Sequence, residues 1–490
     1  MSSPRNPFPK AARDALRGGA RVHGESSLNT FADVSSLTYC HADADGFAAY
    51  LNQFNPGNFR YKDAGVQQWQ YVEPYDHWQD TYGVDAVKVF WHTGHGGMDG
   101  NGTFFAPLGA KWNGQTWVNS TQMTLANQTL RYVFWSTCLS LRVHDGHSPW
   151  RSWAARARGL RMIFGWETVS WDNPNYGKNF WRHWNSTRKL SSAWLQAGWD
   201  AGRDQAPSVA AMGASADEAK NRVFNEGQLF WEAVSSAWMW WVYWDAARSI
   251  DTPVETSLQA PPAEAYLLEL GPLGGRRKAL ASVGEVTVVD DGLAQIQLAA
   301  PAAAGETTAS PLTQGSIVDA ANGVVSALDL PDVDLVASTT RVLRTAGASA
   351  DERADDAVAG YAVEYRQVVD GVPVITPEGG YLRVQLDAGG NPTAATLTAR
   401  PVRERLARPV RTTPSPDGEP LGTSALDDQL GAHLAPLTAD AVSAAPIPGT
   451  REVGYVIDGS QAYLGASQGS LVDFGQGLFK KVRVTVPLNQ

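Results

Sequence analysis

Two short segments of the chain place a histidine and a cysteine among small residues. They are residues 92–97 (HTGHGG) and residues 137–140 (TCLS). A thiol that attacks a carbonyl carbon needs a neighbouring imidazole to move protons and hydrogen-bond donors to stabilise the oxyanion. Cys138 is the predicted nucleophile and His95 the predicted general acid and base, and the backbone N–H groups of Gly96 and Cys138 form the predicted oxyanion hole. The glycines beside His95 fit this chemistry, because a residue without Cβ lets the backbone approach a substrate closely.

Two further residues of the same types compete for these roles. His92 lies three residues before His95, and residues at i and i+3 of a strand point to opposite faces, so His95 is the favoured base. Cys40 is the second of two cysteines, and at most one disulfide can form in the chain. No motif surrounds Cys40, so we expect it to be structural, although it could line the cleft.

A zinc hydrolase is the metal-based alternative. His92, His95, His144 and His147 offer imidazoles, and Cys138 offers a thiolate. Helical zinc sites use a His-Glu-x-x-His frame with a glutamate base inside it, whereas residues 92–97 are rich in glycine. We therefore expect no metal and no other cofactor.

The elements that must position these residues are apolar runs typical of strands buried on both faces of a parallel sheet. They cover residues 85–91, 131–136 and 159–165, and a shorter strand is predicted at 36–40. Helical spacing follows at 42–54, with Asp43 or Asp45 as N-cap, and again at 148–158 and 191–205. The predicted fold class is a doubly wound α/β sandwich with a mainly parallel sheet, and ligands of such sheets bind outside the carboxyl ends of the strands.

An apolar strand ending in Gly-His-Gly-Gly, followed about 40 residues later by another ending in a small residue and Cys, resembles the clan of caspases, metacaspases, legumains and gingipains. The resemblance covers residues 36–244. It implies a caspase-like α/β/α sandwich and cleavage of peptide bonds after a selected P1 residue. Carried onto this chain, the clan's histidine falls on His95 and its cysteine on Cys138.

The resemblance also implies that loops after the first, third and fourth core strands build the P1 pocket. Acidic side chains there could bind a basic P1 residue by charge pairing. For Asp43 and Asp45, however, helix capping or surface solvation is the favoured role. Tryptophans there would instead favour an apolar or aromatic P1 residue, and the choice stays open. The predicted substrate-binding residues are Asp43, Asp45, Trp166, Glu167, Trp171 and Asp172.

Tryptophan usage divides the chain, because all 19 tryptophans lie between Trp69 and Trp244. A chain of 490 residues is also too long for one core. The predicted divisions are an N-terminal extension (1–30), the catalytic domain (31–255), a linker (256–263), an α+β region (264–402), a second linker (403–420) and a β-rich segment (421–490). The C-terminal half is thus predicted to be α+β or mostly β.

Residues 363–402 resemble the propeptides of thermolysin-like peptidases and the related PepSY modules. The resemblance rests on Tyr365, residues 370–374 (DGVPV) and residues 387–391 (DAGGN), which also have the chemistry of hairpin turns. It implies an inhibitory or chaperoning partner of a peptidase; an ordinary accessory domain is the alternative. Under the inhibitory hypothesis the chain is a zymogen whose C-terminal half covers His95 and Cys138.

The bulk composition excludes some partners. The net charge is −10 and no run of Lys and Arg could track a phosphate backbone, so nucleic acid is not expected. No apolar stretch reaches the roughly 18 residues of a membrane span, and residues 1–24 lack the apolar segment of a secretory signal. We expect a soluble protein, cytoplasmic unless a leader has been removed.

The predicted function is a cysteine endopeptidase that forms a thioacyl intermediate and acts on peptides or proteins. A transpeptidase or peptide ligase of the same clan would share that intermediate, because only the acceptor differs. An inactive scaffold that binds peptides in the Trp-rich cleft is the alternative from another class.

Overall fold

The structure is a computed structural model that describes residues 4–17, 19–20, 22–250, 264–276, 280–298, 311–411 and 423–488. The predicted linker at 256–263 lies outside these residues. The described α-helices are α1 (Lys10–Arg17), α2 (Cys40–Leu51), α3 (Asp76–Tyr82), α4 (Pro149–Trp153), α5 (Tyr176–Thr187), α6 (Leu190–Ala201), α7 (Ala216–Asn225), α8 (Gln314–Leu328) and α9 (Thr423–Leu434).

The strands of the first half alternate with these helices. They are β1 (His23–Ser27), β2 (Phe59–Lys62), β3 (Val89–Thr93), β4 (Gly97–Met98), β5 (Phe104–Trp112), β6 (Gln115–Asn119), β7 (Tyr132–Ser136), β8 (Met162–Trp166), β9 (Pro207–Gly213), β10 (Trp238–Trp244) and β11 (Arg248–Ser249).

The strands of the second half follow one another, and α8 and α9 lie among them in the part that the structure describes. They are β12 (Glu264–Leu270), β13 (Gly284–Asp290), β14 (Leu293–Leu298), β15 (Asp334–Ser349), β16 (Arg353–Val369), β17 (Val372–Pro373), β18 (Tyr381–Asp387), β19 (Pro392–Leu397), β20 (Val402–Arg411), β21 (Ser443–Pro446), β22 (Glu452–Asp458), β23 (Gln461–Gly475) and β24 (Leu478–Pro487). β20 occupies the start of the predicted second linker.

The predicted α/β class is confirmed by a large mixed sheet with packed layers on both faces. In the first half its strand order is β2-β1-β3-β7-β8-β9-β10. Neighbours are parallel from β2 to β8 and antiparallel from β8 to β10. Along β7, Phe134 packs against α2, α5 and α6, while Trp135 packs on the opposite face against α4 and the small β4-β5-β6 sheet. Burial on both faces explains why these strands are continuous apolar runs.

Three details of the predicted elements are wrong. Residues 36–40 form no strand; the first strand is β1, whose polar sequence HGESS gives no apolar signal although all five residues are buried. Cys40 therefore begins α2 instead of closing a strand. Asp43 and Asp45 lie inside α2, because the N-cap position belongs to Tyr39. The helix predicted at 148–158 is limited to α4, whose start is set by the Ser148 side chain accepting a hydrogen bond from the Arg151 amide at 3.2 Å.

The main sheet continues into the second half of the chain. β10 pairs antiparallel with β15, and the order runs on through β16, β18, β19, β14 and β13. Gly347 of β15 permits this junction, since a Cβ there would lie 2.3 Å from the Trp240 ring. The hairpin turn predicted at 370–371 is confirmed, with Asp370 and Gly371 both at positive φ. α8 packs against this part of the sheet through Ile317 and Val324.

A second sheet, of six strands in the described residues, has the order β20-β12-β23-β21, with β22 and β24 also paired to β23. β24 has alternating burial, and its inward positions are apolar with the exception of Lys480. Its first residues reach the carboxyl ends of the parallel strands in the first half. No helix among the described residues has the length and apolar character needed to cross a membrane.

Candidate active site

β3 and β7 bring His95 and Cys138 to the same rim of the sheet. The two strands are parallel neighbours in which Thr93 is paired with Ser136. His95 and Cys138 each follow these paired residues by two positions, so both leave the sheet at the same level. The two segments pack closely, because a Cβ on Gly96 would lie 2.8 Å from Thr137 Cβ. Glycine at this position allows the close approach.

The His95 imidazole is held in one orientation and one tautomer. Its Nε2 lies 3.1 Å from the carbonyl oxygen of Ser35. Since a carbonyl only accepts, Nε2 carries the hydrogen and Nδ1 is left with a lone pair. Nδ1 is buried and has no hydrogen-bond partner among the described residues. The ring lies between Phe31 and Phe474, with centroid distances of 4.9 and 4.8 Å.

The Cys138 thiol is fully buried and is contacted by both halves of the chain. From the first half, the Ser170 amide donates to Sγ at 3.3 Å, and the Ser170 Oγ lies 3.4 Å away. From β24, the carbonyl oxygen of Phe479 accepts a hydrogen bond from the thiol at 3.2 Å. The thiol is therefore closed off from solvent by a strand of the C-terminal segment.

His95 and Cys138 do not form a hydrogen bond with each other in the described structure. The two predicted oxyanion donors also form no hydrogen bond: neither the Gly96 amide nor the Cys138 amide donates to another described residue.

Lys480 is a buried charged residue that affects the protonation of His95. It is 2% exposed, and its Nζ donates to Ser170 Oγ at 3.0 Å and to the Gly94 carbonyl oxygen at 3.4 Å. Burial lowers the pKa of His95 to about 3, with the Lys480 ammonium adding to that effect. Burial also disfavours the charge of Lys480 itself, but neighbouring thiols and carboxylates outweigh this and raise the pKa of Lys480.

Two of the predicted substrate-binding residues, Asp43 and Asp172, are buried and interact electrostatically with Lys480. Asp43 accepts hydrogen bonds from Ser136 Oγ and from the Gly177 amide, both at 2.8 Å, and burial raises the pKa of Asp43 to about 7. Its predicted surface solvation is thus wrong. Asp172 accepts from the Thr38 amide at 2.8 Å, and burial raises its pKa, opposed by Lys480.

The other predicted substrate-binding residues are engaged elsewhere. Asp45 pairs with Arg60 and Lys62 on β2. Glu167 accepts a hydrogen bond from the Val143 amide, and burial raises the pKa of Glu167 to about 7.

Both tryptophans of this group are buried and present no open surface for stacking. Trp166 packs against Tyr176 and Trp194, and the Trp171 indole donates to Asp204 at 2.9 Å.

The remaining histidines are separated from the thiol. His92 points to the opposite face of the sheet, where its Nδ1 lies 2.9 Å from the Tyr71 hydroxyl. His144 lies near Asp245, with its Nε2 3.9 Å from the carboxylate. In the described parts of the chain, no three His, Cys, Asp or Glu side chains form a group that could hold a metal ion. The zinc alternative therefore has no ligand set there.

Sequence reasoning missed three residues of this site: Ser35, Ser170 and Lys480. Ser35 acts through its backbone carbonyl, and Ser170 through its amide as well as its hydroxyl; backbone contacts leave no signal in a sequence. Lys480 does leave one, because it occupies an inward position in the alternating strand 478–486 (LFKKVRVTV), where the other inward residues are Leu and Val.

These features define a class: an α/β protein with a large mixed sheet and a buried histidine and cysteine at the rim of its parallel part. Residues 26–244 match the model of a family described as a domain of unknown function (DUF6345). The match contains His95 and Cys138, excludes Lys480, and ends at the last residue of β10. No curated protein matches the chain.

Proposed function

We propose that the protein is a cysteine endopeptidase with a caspase-like core, in which Cys138 is the nucleophile and His95 the general acid and base. The observation that carries the proposal is the matched position of the two residues beyond β3 and β7, with a buried lone pair on Nδ1 of His95. The strand order β2-β1-β3-β7 supports it further, because ligands of doubly wound sheets bind outside the carboxyl ends of the strands, near the point where the order reverses.

The reaction uses the groups of this chain in a fixed order. The sulfur attacks the carbonyl carbon while Nδ1 of His95 takes the thiol proton, and the oxyanion is stabilised by the amides of Gly96 and Cys138. The proton then passes to the leaving amine as the C–N bond breaks, which leaves a thioester. Water attacks the thioester with His95 as base, so an acid is released and the thiol is restored. An amine in place of water would give transfer instead of hydrolysis.

Ser35 is the positioning residue of this mechanism. Its carbonyl oxygen accepts from Nε2 of His95, which keeps the lone pair on the nitrogen that must receive the thiol proton. The same contact stabilises the imidazolium that forms in the transition state, because the second N–H remains hydrogen-bonded.

The described arrangement is that of a latent enzyme. Phe479 occupies the hydrogen-bonding direction of the thiol, and Lys480 is buried beside it. The covering strand belongs to residues 423–488. The propeptide-like region packs elsewhere, with Glu378 accepting from Asn175 and Asn179 of α5 at 2.9 and 3.0 Å. Inhibition therefore resides in the last segment of the chain. β10–β15 pairing joins β13 to β19 to the main sheet, whereas β12 and β20 belong to the second sheet.

The test is a cut between these two parts in the full-length protein. Part of residues 412–422 is replaced by the site of a sequence-specific protease, and the folded protein is cut and diluted, so that the covering segment is no longer held at a high effective concentration. Labelling of Cys138 by peptidyl electrophiles, located by peptide mapping, is expected to rise by at least about 10-fold, with parallel gain of peptidase activity.

Three variants of the cut protein interpret the result. Cys138→Ala and His95→Ala are expected to abolish His-dependent labelling and hydrolysis, whereas Cys40→Ala is the matched control for a second buried thiol and is expected to retain both. Unchanged labelling after the cut would contradict the latent-enzyme arrangement. Equal labelling of wild type and His95→Ala would contradict the peptidase and support a peptide-binding scaffold.

A further inference from the structure

One inward-facing position of β24 holds a lysine, although the inward-facing positions of a strand in the second sheet are expected to be apolar. Lys480 is 2% exposed, and the alternate residues Leu478, Val482 and Val484 are all buried and apolar. Burying an ammonium group costs several kcal/mol unless it is paired and hydrogen-bonded. The site that receives Lys480 must therefore offer compensation that an apolar core lacks.

The compensation comes entirely from the first half of the chain. Nζ of Lys480 donates to Ser170 Oγ and to the Gly94 carbonyl oxygen. The carboxyl groups of Asp172 and Asp43 also favour its charge electrostatically. All four of these residues lie within the matched family domain, so the cavity that Lys480 fills is a property of that domain.

This cavity shares its walls with the proposed catalytic pair. Gly94 directly precedes His95, and Ser170 donates its amide hydrogen to Cys138 Sγ while its hydroxyl accepts from Lys480. A side chain that enters the cavity brings the adjoining backbone next to the thiol, because Cys138 Sγ lies 3.2 Å from the carbonyl oxygen of Phe479, the residue before Lys480. A cavity beside the thiol in this way is suited to hold a P1 side chain.

We propose that the Lys480 cavity is the P1 pocket of the enzyme, that it selects lysine in substrates, and that Lys480 occupies it in the latent form as a substitute for the substrate side chain. This inference rests on the proposed function, because a P1 pocket has meaning only beside a catalytic thiol.

The composition of the cavity favours lysine over arginine. An ammonium group is compact and has three donors, which suits the two oxygen acceptors and the surrounding negative charge. A guanidinium group has five donors in a rigid plane and needs more acceptors and more room. A neutral side chain of the same length would leave Asp172 and Asp43 buried without a cation.

The covering strand is bound in a register that the thiol cannot cleave. A substrate lysine in this pocket would present the bond after it, which in β24 is the Lys480–Lys481 bond. The thiol instead contacts the carbonyl oxygen of Phe479, one residue earlier. The amide and carbonyl of Lys481 are held by the Ser170 carbonyl at 3.1 Å and the Asp172 amide at 2.7 Å. The strand thus fills the pocket and remains intact.

The experiment measures rates of Cys138 labelling in the cut full-length protein with matched peptidyl acyloxymethyl ketones that differ only at P1. The P1 residues are lysine, arginine, norleucine and aspartate. Lysine is expected to exceed norleucine, its uncharged counterpart, by about 100-fold or more, because a neutral residue leaves buried polar groups unpaired. Arginine is expected to react more slowly than lysine, and aspartate is expected not to react.

Variants test which carboxylate is responsible. Asp172→Asn should lower the lysine rate far more than the norleucine rate, whereas Asp45→Asn, which removes a carboxylate that pairs with Arg60 and Lys62 on β2, should leave the ratio unchanged. If Asp172→Asn does not fold, Lys480→Ala in the uncut chain provides a second measurement. n-Butylammonium chloride should raise the thermal midpoint of Lys480→Ala more than n-butanol does. For wild type, n-butylammonium chloride should have no greater effect than n-butanol.

The outcomes separate the two proposals. His95-dependent labelling with equal rates for lysine and norleucine, or a preference for another P1 residue, overturns the lysine pocket and leaves the peptidase in place. Absence of His95-dependent labelling with every probe overturns the peptidase and the pocket with it. A lysine preference that depends on Asp172 supports both.

Discussion

At the residue scale, burial and one neighbouring charge both lower the pKa of the proposed base. Nδ1 of His95 is the group that must accept the thiol proton, yet burial and the Lys480 ammonium together bring its pKa to about 3. A base with so low a pKa holds a proton poorly at neutral pH, whereas general acid–base catalysis works best with a pKa near the working pH. Lys480 therefore has two effects: it occupies the site sterically, and its charge lowers the basicity of His95, as the charge of a substrate lysine in the same cavity would.

Replacing Lys480 by methionine separates these two effects, because methionine keeps most of the side-chain volume and removes the charge. The pKa of His95 is expected to rise in Lys480→Met, though burial still keeps it below the usual value. Long-range ¹H–¹⁵N NMR of the histidine rings measures this pKa and also the tautomer. His23, whose pKa is lowered by burial and whose Nε2 contacts the Asn55 carbonyl, should titrate as in wild type. An unchanged His95 pKa would show that Lys480 does not act on the base.

At the element scale, the sequence predicts β3, β7 and β8, whose residues on both faces are buried and mostly apolar. The runs ending near Ser136 and Trp166 are visible because successive residues pack into two different cores. β1 escapes prediction, since its buried Glu25, Ser26 and Ser27 are polar. The position of His95 and Cys138 at one rim of the sheet can be predicted from the apolar parallel runs. The covering of this rim by β24 cannot, because its contacts join residues more than 300 positions apart, such as Cys138 and Phe479.

The β10–β15 junction gives a test at this scale, through two glycine-to-alanine changes with opposite expected signs. In Gly347→Ala the new Cβ would lie 2.3 Å from the Trp240 ring, so overpacking should lower the free energy of unfolding by about 1–3 kcal/mol. In Gly323→Ala, in α8, no atom lies within 4 Å of the new Cβ, and better helix propensity should stabilise the protein by up to about 1 kcal/mol. Chemical denaturation measures both. Equal effects would show that the junction is not close-packed.

At the scale of the whole molecule, a buried ionic network joins the two halves. Asp200 of α6 is contacted by His183 Nε2 and by Arg383 Nη1, both at 2.6 Å, and Arg383 Nε lies 2.7 Å from Glu364. All of these side chains are buried. Although burial opposes it, the charge of Arg383 and the neighbouring cations lower the pKa of Glu364 to about 2 and also lower the pKa of Asp200.

The pH dependence of stability follows from this network and from a second set of carboxyls. Carboxyls with a lowered folded pKa contribute stability that is present above their unfolded pKa, near 4, and is lost as the pH falls toward about 2. Glu25, Asp43 and Glu167 behave in the opposite way, since burial raises the pKa of each to about 7. These carboxyls bind protons more tightly in the folded protein than in the unfolded chain, so stability falls as the pH rises from about 4 to 7.

The thermal midpoint is therefore expected to be highest near pH 4–5 and to decline on both sides. Glu167→Gln should flatten the decline toward neutral pH, because it removes one group whose raised pKa corresponds to on the order of 3 kcal/mol. Glu285→Gln, a change at an exposed carboxyl of β13, is the matched control and should leave the profile unchanged. Scanning calorimetry across pH 3–8 measures these profiles. A midpoint that rises steadily from pH 4 to 7 would show that the buried carboxyls are ionised at little cost, and that the rim of the sheet is far more polar than its packing indicates.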